Sequence, residues 1–220
     1  MKDVDVFLSG SDWSCIGVTG NAGAGKTSLS SSLNSFDFVK YSIDWRFIGD
    51  SAFRKELLKA KANNSINSYI DACNQFNWWD WDQVCRDLAG LMSGSEIFFN
   101  AYDRDTGGYS DIGIKRLNKK VVVEGALLGP ESMIKMFDAI VFVYSPAQTR
   151  LARILGKDAG RRSVGEIVAR FLITEYSESI YYRQLLMNYS DKVFFVNDSG
   201  SFIPYPTDIL SKDCFIPLPI

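Results

Sequence analysis

Residues Gly20-Asn21-Ala22-Gly23-Ala24-Gly25-Lys26-Thr27 satisfy the pattern G-x-x-x-x-G-K-[ST] at every fixed position. At average residue frequencies, a chain of 220 residues does so by chance about one time in a hundred. The surroundings constrain the fold further. The apolar run Cys15-Ile16-Gly17-Val18 precedes the glycines, and Ser28–Leu33 follows, with Leu29 and Leu33 four apart as on a helix face. Strand, tight turn and helix in that order form a cradle for an anion. The glycines let backbone N–H groups turn inward, and the helix N-terminus adds partial positive charge. In such a loop Lys26 reaches the β- and γ-phosphates of a nucleotide, and the Thr27 hydroxyl ligates Mg²⁺. The expected phosphate-binding set is Gly20, Asn21, Ala22, Gly23, Ala24, Gly25, Lys26, Thr27 and Ser28.

Short apolar runs rich in β-branched or aromatic residues recur at Cys15–Thr19, Phe38–Ser42, Val121–Val123, Ala139–Tyr144 and Lys192–Val196. Runs without polar alternation are typical of parallel strands covered on both faces. Helix-like stretches separate them: Asp50–Ala62 with Phe53, Leu57 and Leu58, Asp80–Met92 with Val84, Leu88 and Leu91, Gln148–Leu155, and Ser163–Met187. The alternation predicts an α/β, three-layer fold around a mostly parallel five-stranded sheet, in one domain spanning 1–220. The region 96–118 breaks the pattern. Glu96–Tyr102 and Tyr109–Leu117 flank Asp105-Thr106-Gly107-Gly108, whose glycines can supply positive φ, and predict a β-hairpin protruding from the main sheet. The tail, with Pro204, Pro206, Pro217 and Pro219, is expected to be extended.

Composition excludes several kinds of chemistry. Histidine is absent, which removes Ser-His-Asp and Cys-His nucleophiles, His-ligated zinc and His general bases. The formal net charge of −2 speaks against nucleic-acid and anionic-membrane partners. Cys15, Cys73, Cys85 and Cys214 form no C-x-x-C pair, and with no leader-like segment they point to reduced thiols in a cytoplasm. The longest apolar run, Ala139–Tyr144, falls far short of a membrane span.

Two carboxylates sit where strand ends meet the loop. Asp44 follows the run Phe38–Ser42, on the rim where open parallel sheets bind ligands. It can take a proton from an attacking hydroxyl or hold a metal-bound water, or it can cap the following turn. Glu124 closes Val121-Val122-Val123, a position suited to holding Mg²⁺ directly or through water, or else a solvated strand end. Arg150 and Arg153, then Lys157, Arg161 and Arg162 around Gly156 and Gly160, describe a helical lid over 153–165 that neutralises phosphate charge, or a solvated basic face. Lacking a guanine-reading Asn-Lys-x-Asp motif, the chain fits a small-molecule or nucleotide kinase best.

Taken together these segments resemble the uridine kinase family of the uridine kinase–phosphoribulokinase group of P-loop kinases, from about Ile16 to Val196. Tyr41-Ser42-Ile43-Asp44 is similar to the family segment ending in the catalytic Asp, and Trp79-Asp80-Trp81-Asp82 to the start of its substrate helix. Ala101-Tyr102-Asp103 resembles the hairpin Pro-x-Tyr-Asp, Val121-Val122-Val123-Glu124-Gly125 the Val-Glu-Gly strand, and Thr149-Arg150-Leu151-Ala152-Arg153 the lid-helix sequence. The resemblance implies a P-loop NTPase fold and an ATP-dependent phosphotransferase acting on a hydroxyl of a nucleoside or nucleoside-like metabolite. In it Asp44 is the base, Lys26, Thr27 and Glu124 hold MgATP with Asp44 near the metal, and Arg153, Arg161 and Arg162 close over the phosphates. Asn74, Trp79, Tyr102 and Asp103 would face the acceptor. Two departures bear on that acceptor. The family's Asp-His-Pro-Asp aligns on Asn74-Gln75-Phe76-Asn77, and its hairpin His falls near Gly107. Trp78, Trp79 and Trp81 are either core residues or, for one of them, a stacking surface for a substrate ring. A sugar or vitamin precursor as acceptor, and a non-catalytic ATP-binding regulator, are the competing readings; a homo-oligomer is left open.

Overall fold

The computed structural model describes residues 3–33, 38–72, 75–103, 106–116 and 120–206. Five parallel strands form the main sheet: β1 (Cys15–Thr19), β2 (Phe38–Ser42), β5 (Lys120–Glu124), β6 (Ala139–Tyr144) and β7 (Val193–Asn197), in the order β2-β5-β1-β6-β7. A separate antiparallel hairpin pairs β3 (Glu96–Tyr102) with β4 (Tyr109–Lys115). The helices are α1 (Asp3–Ser9), α2 (Lys26–Leu33), α3 (Ser51–Asn64), α4 (Ile66–Ala72), α5 (Trp81–Met92), α6 (Glu131–Ile134), α7 (Ala147–Asp158) and α8 (Val164–Tyr189).

The apolar runs become strands because alternate residues can be buried on opposite faces. Ile16, Val18, Val122, Val141 and Val143 pack under Val4 and Leu8 of α1 and Leu29 and Leu33 of α2. Cys15, Val121, Val123, Ile140 and Phe142 pack against Val84, Leu88 and Leu91 of α5 and Tyr182, Leu185 and Leu186 of α8. Full burial of such a side chain contributes roughly 1.5–3 kcal/mol, so a sheet covered on both sides outweighs any preference of these runs for another structure. The architecture is a parallel sheet between helices, with an added hairpin.

Caps set the helix starts. Asp50 accepts from Phe53 N at 2.8 Å ahead of α3, Asp80 from Gln83 N at 3.0 Å ahead of α5, and Ser163 from Glu166 N at 3.2 Å ahead of α8. Some expectations need correcting. Gly107 takes the left-handed φ of 75° in the hairpin turn, but Gly108 does not. The hairpin forms a sheet of its own, as expected, and its inner face, where Ala101, Tyr102 and Ile114 are buried, completes the core beside α5. Phe53 is 55 % exposed although it shares a helical stripe with the half-buried Leu57 and Leu58. The short helices α1 and α4 come from segments with no clear helical signal. Pro204 and Pro206 follow an antiparallel bridge between Phe202 and Val196, in line with an extended tail; Pro217 and Pro219 lie outside the described residues.

A buried polar knot fastens β2 and the 3-10 turn after it (Ile43–Arg46) to α5. The Asp87 carboxylate, 4 % exposed, accepts from Tyr41 Oη at 2.7 Å, Arg46 Nε at 2.7 Å and Nη2 at 2.9 Å, and Gln83 Nε2 at 2.8 Å. The Arg46 guanidinium lies 3.8 Å from the centre of the Phe99 ring on β3. Removing one partner of a buried pair strands the other charge. We expect Asp87→Ala to lose about 3–5 kcal/mol of stability in a denaturant titration; a loss below about 1 kcal/mol would show that the knot is not what holds this turn.

Candidate active site

The phosphate loop leaves β1 and enters α2 as the sequence requires. Gly20 has φ 140°, and a Cβ there would meet Val143 O at 2.2 Å; Gly23 has φ 79°, and a Cβ would meet Arg150 O at 2.9 Å. Only glycine satisfies both constraints at each position. Lys26 Nζ donates to Gly20 O at 2.7 Å and Asn21 O at 3.0 Å, which lays its side chain across the loop.

Glu124 lies beside the loop at the end of β5, 7 % exposed. Its Oε1 accepts from Thr27 Oγ1 at 2.6 Å, and its Oε2 from Ser30 Oγ at 3.0 Å. Lys40, from β2, places Nζ 2.8 Å from the same Oε2. Burial pushes the Glu124 carboxyl up, but Lys40, by charge and hydrogen bond, and then Thr27 and Lys26 bring it below the ordinary range. The group is thus an anion at neutral pH. A hydroxyl and a carboxylate side by side are the hard oxygen donors that Mg²⁺ takes, so Thr27 and Glu124 fit that ion.

Asp44 sits in the 3-10 turn that follows β2, half-buried, with its backbone O accepting from Phe47 N at 3.3 Å. Strand β2 is paired with β5, and β5 with β1. Asp44, Glu124 and the loop therefore emerge from the C-terminal ends of three adjacent strands. The acceptor-side candidates gather around the hairpin. Tyr102 is 6 % exposed, edge-on to Phe47 at 5.4 Å between ring centres, with the Arg54 guanidinium 4.3 Å from its own. Asp103 closes the turn, its N donating to Gly108 O at 2.9 Å and its O accepting from Gly107 N at 2.8 Å. Trp79 is 3 % exposed, stacked 4.9 Å from Phe47, and its Nε1 is buried without a partner among the described residues. Asn74 lies outside the described residues.

The region expected to be a lid comprises the end of α7, the turn 159–163 and the start of α8. Arg153 Nη1 donates to Gly23 O at 3.2 Å, and Nη2 pairs with Asp198. Arg162 pairs with Asp158 at 2.5 Å and Glu166 at 3.5 Å, and Arg161 is exposed. Arg150 is 5 % exposed and joined by both Nη atoms to Glu175 at 2.5 Å.

Two site residues escape a motif-based reading. Lys40 carries a detectable signal, a cation inside an apolar strand. Glu178 carries none, because a glutamate in a long polar-looking helix is ordinary. It is 0 % exposed, and its Oε2 accepts from Asn21 Nδ2 at 3.2 Å and Ala22 N at 3.3 Å. Beside it, Tyr181 and Tyr182 of α8 donate to Gly129 O and Ala126 O, fixing the segment after Glu124.

No protein-family model matches the sequence, and a search of curated proteins finds no match. Among solved structures, the chain is similar to one provisionally assigned as a fructose transport system kinase from Silicibacter sp. TM1040, with a TM-score of 0.55 and 14 % identity over 76 % of this chain and 84 % of that one. It is also similar to one provisionally assigned as a uridine kinase from Bacillus stearothermophilus, with a TM-score of 0.53 and 17 % identity over 87 % of this chain and 97 % of that one. The likeness is one of fold.

Burial pushes the Glu178 carboxyl up to about 8; Lys26 draws it down, Glu175 raises it, and Arg150 and the Ala22 N–H lower it. A carboxyl whose folded-state pKa is raised contributes its stability fully below the unfolded value, about 4.3, and loses it as pH rises through the folded value. Melting of the ligand-free protein should show this. Relative to Glu178→Gln, the wild type should lose stability steadily from about pH 5 to about pH 8, with a constant gap above. Parallel melting curves across that range would contradict the assignment.

Proposed function

We propose that this chain is an ATP-dependent kinase that transfers the γ-phosphoryl group to a hydroxyl of a nucleoside or nucleoside-like metabolite. One observation carries the reading: the phosphate loop, the Thr27–Glu124 pair and the turn bearing Asp44 end three adjacent strands on one rim of the sheet. A protein that only binds nucleotide has no use for a carboxylate beside an acceptor site. Mg²⁺, held by Thr27 and Glu124 with Asp44 close by, would neutralise phosphate charge. The loop amides and Lys26 hold the β- and γ-phosphates. Asp44 accepts the proton as the acceptor oxygen forms its bond to the γ-phosphorus, and the bridging oxygen leaves with ADP. Arg153 already lies against the loop. Arg161 and Arg162 would join it from the lid turn, Arg162 exchanging its carboxylates for phosphate oxygens. Tyr102, Asp103 and Trp79 would shape the acceptor site. No described helix is long and apolar enough to cross a membrane, and the free thiols Cys15 and Cys85 suit a cytoplasmic enzyme.

A sugar or vitamin precursor is the second reading, favoured by the amide at Asn74 and the glycine at 107. A sugar hydroxyl bonded to a carboxylate makes a contact roughly twice as strong as one to a neutral amide. An unpaired polar edge costs on the order of 1–3 kcal/mol. Uridine and cytidine should therefore be poor acceptors in steady-state kinetics, and either of them proving the best would place another acid on the sugar.

ADP release measured across nucleosides, sugars and vitamin precursors tests the reading. Lys26→Ala should abolish most transfer with the fold intact, and near-normal turnover would sink the kinase assignment. Asp44→Asn should keep MgATP binding and lose about 10²–10⁴-fold in kcat. A variant that lost only nucleotide affinity would instead assign Asp44 to the metal.

A further inference from the structure

We propose that Glu178 couples nucleotide binding to a proton: the donor's polyphosphate binds the protein when this side chain is an acid and is disfavoured when it is a carboxylate. The inference rests on the reading that the loop binds a nucleoside triphosphate, and adds to it a proton that the loop motif does not foresee.

The geometry begins with an unbalanced pair of oxygens. Glu178 is wholly buried at the middle of α8, where that helix crosses the phosphate loop. Its Oε2 takes the Asn21 amide and the Ala22 N–H, both from the loop itself. Its Oε1 is buried with no hydrogen-bond partner among the described residues. A buried anion needs partners for both oxygens and a nearby cation.

The charged and titratable neighbours do not supply them. On the loop, Lys26 is the nearest cation in effect, but its Nζ donates to Gly20 O and Asn21 O. On α7, Arg150 is committed to Glu175 by both Nη atoms. On α8 itself, Glu175 is a like charge and the Tyr182 hydroxyl donates to Ala126 O. On β1, Thr19 Oγ1 also donates to Ala126 O, at 2.8 Å. No ion pair to Glu178 forms among the described residues. Burial accordingly holds the carboxyl up to about 8, and the acid is the main form at neutral pH.

A nucleotide changes this balance in one direction. Phosphates seated on the loop amides bring several negative charges close to Glu178, and like charge raises a carboxyl pKa further. Linkage then makes the carboxylate form bind nucleotide more weakly by the same factor. Above the free-state pKa, binding must therefore take up a proton from solvent.

Isothermal titration of the full chain with MgADP from pH 7 to pH 9, in pairs of buffers with different protonation enthalpies, tests this. The second ionisation of phosphate lies near pH 6, so the ligand's charge is nearly constant there. The wild type should weaken about tenfold between pH 7 and pH 9 and take up close to one proton per nucleotide at the upper end. Glu178→Gln should show neither effect and at pH 9 should bind about as the wild type does at pH 7. A merely structural role would weaken Glu178→Gln equally at every pH, and equal pH slopes in the two proteins overturn the proposal. If Glu178→Gln fails to fold, the wild-type proton count decides alone: uptake near one supports the proposal, and zero overturns it. Nucleotide binding with no pH dependence overturns this inference and leaves the kinase reading standing. An absence of binding at every pH overturns both.

Discussion

The Glu124 carboxylate is the point at which this structure is tied together. It ends the second of three adjacent strands and reaches the other two elements that matter: α2 through Thr27 and Ser30, and β2 through Lys40. A buried carboxylate is costly unless charge and hydrogen bonds meet it on all sides. Here they do, and the result is an anion held at low pKa beside the loop. The same contacts that satisfy it fix the distance from the loop to the strand leading into Asp44.

Around that point, two further constraints keep the rim in register. The Asp87 knot ties the turn carrying Asp44 to α5 and, through Arg46 on Phe99, to the hairpin. On the opposite side α8 pins the segment after Glu124 with Tyr181 and Tyr182 and touches the loop with Glu178. Glu124 and Glu178 show how one loop can border two carboxyl groups of opposite character. Lys40 and two hydroxyls make the first an anion. The second has two loop N–H donors to one oxygen and, among the described residues, none to the other, and burial pushes its pKa up.

Much of this was legible in the sequence where a local rule dictates the outcome. Gly20 and Gly23 need backbone that no other residue adopts in that space, so the loop is written in its glycines. The apolar runs announce parallel strands because both of their faces must be covered, and Asp44 and Glu124 announce themselves by ending such runs. What stayed hidden depends on tertiary neighbours. The seven residues of α1 form a helix because Val4 and Leu8 join Leu29 and Leu33 in the core on one face of the sheet, which no window of that length reveals. The inner face of the hairpin is buried by α5, distant in sequence. Glu178 differs from any exposed helical glutamate only in what lies over it.

If the loop and Asp44 serve one reaction, a phosphoryl group passes directly from donor to acceptor. Supplying ATP labelled in its γ-phosphoryl group, with the acceptor panel, and identifying the labelled product by mass spectrometry tests that most directly. The label should appear in a phosphate monoester of one acceptor, in equal amount to the ADP formed. Label recovered only as inorganic phosphate, with every acceptor unchanged, would contradict it.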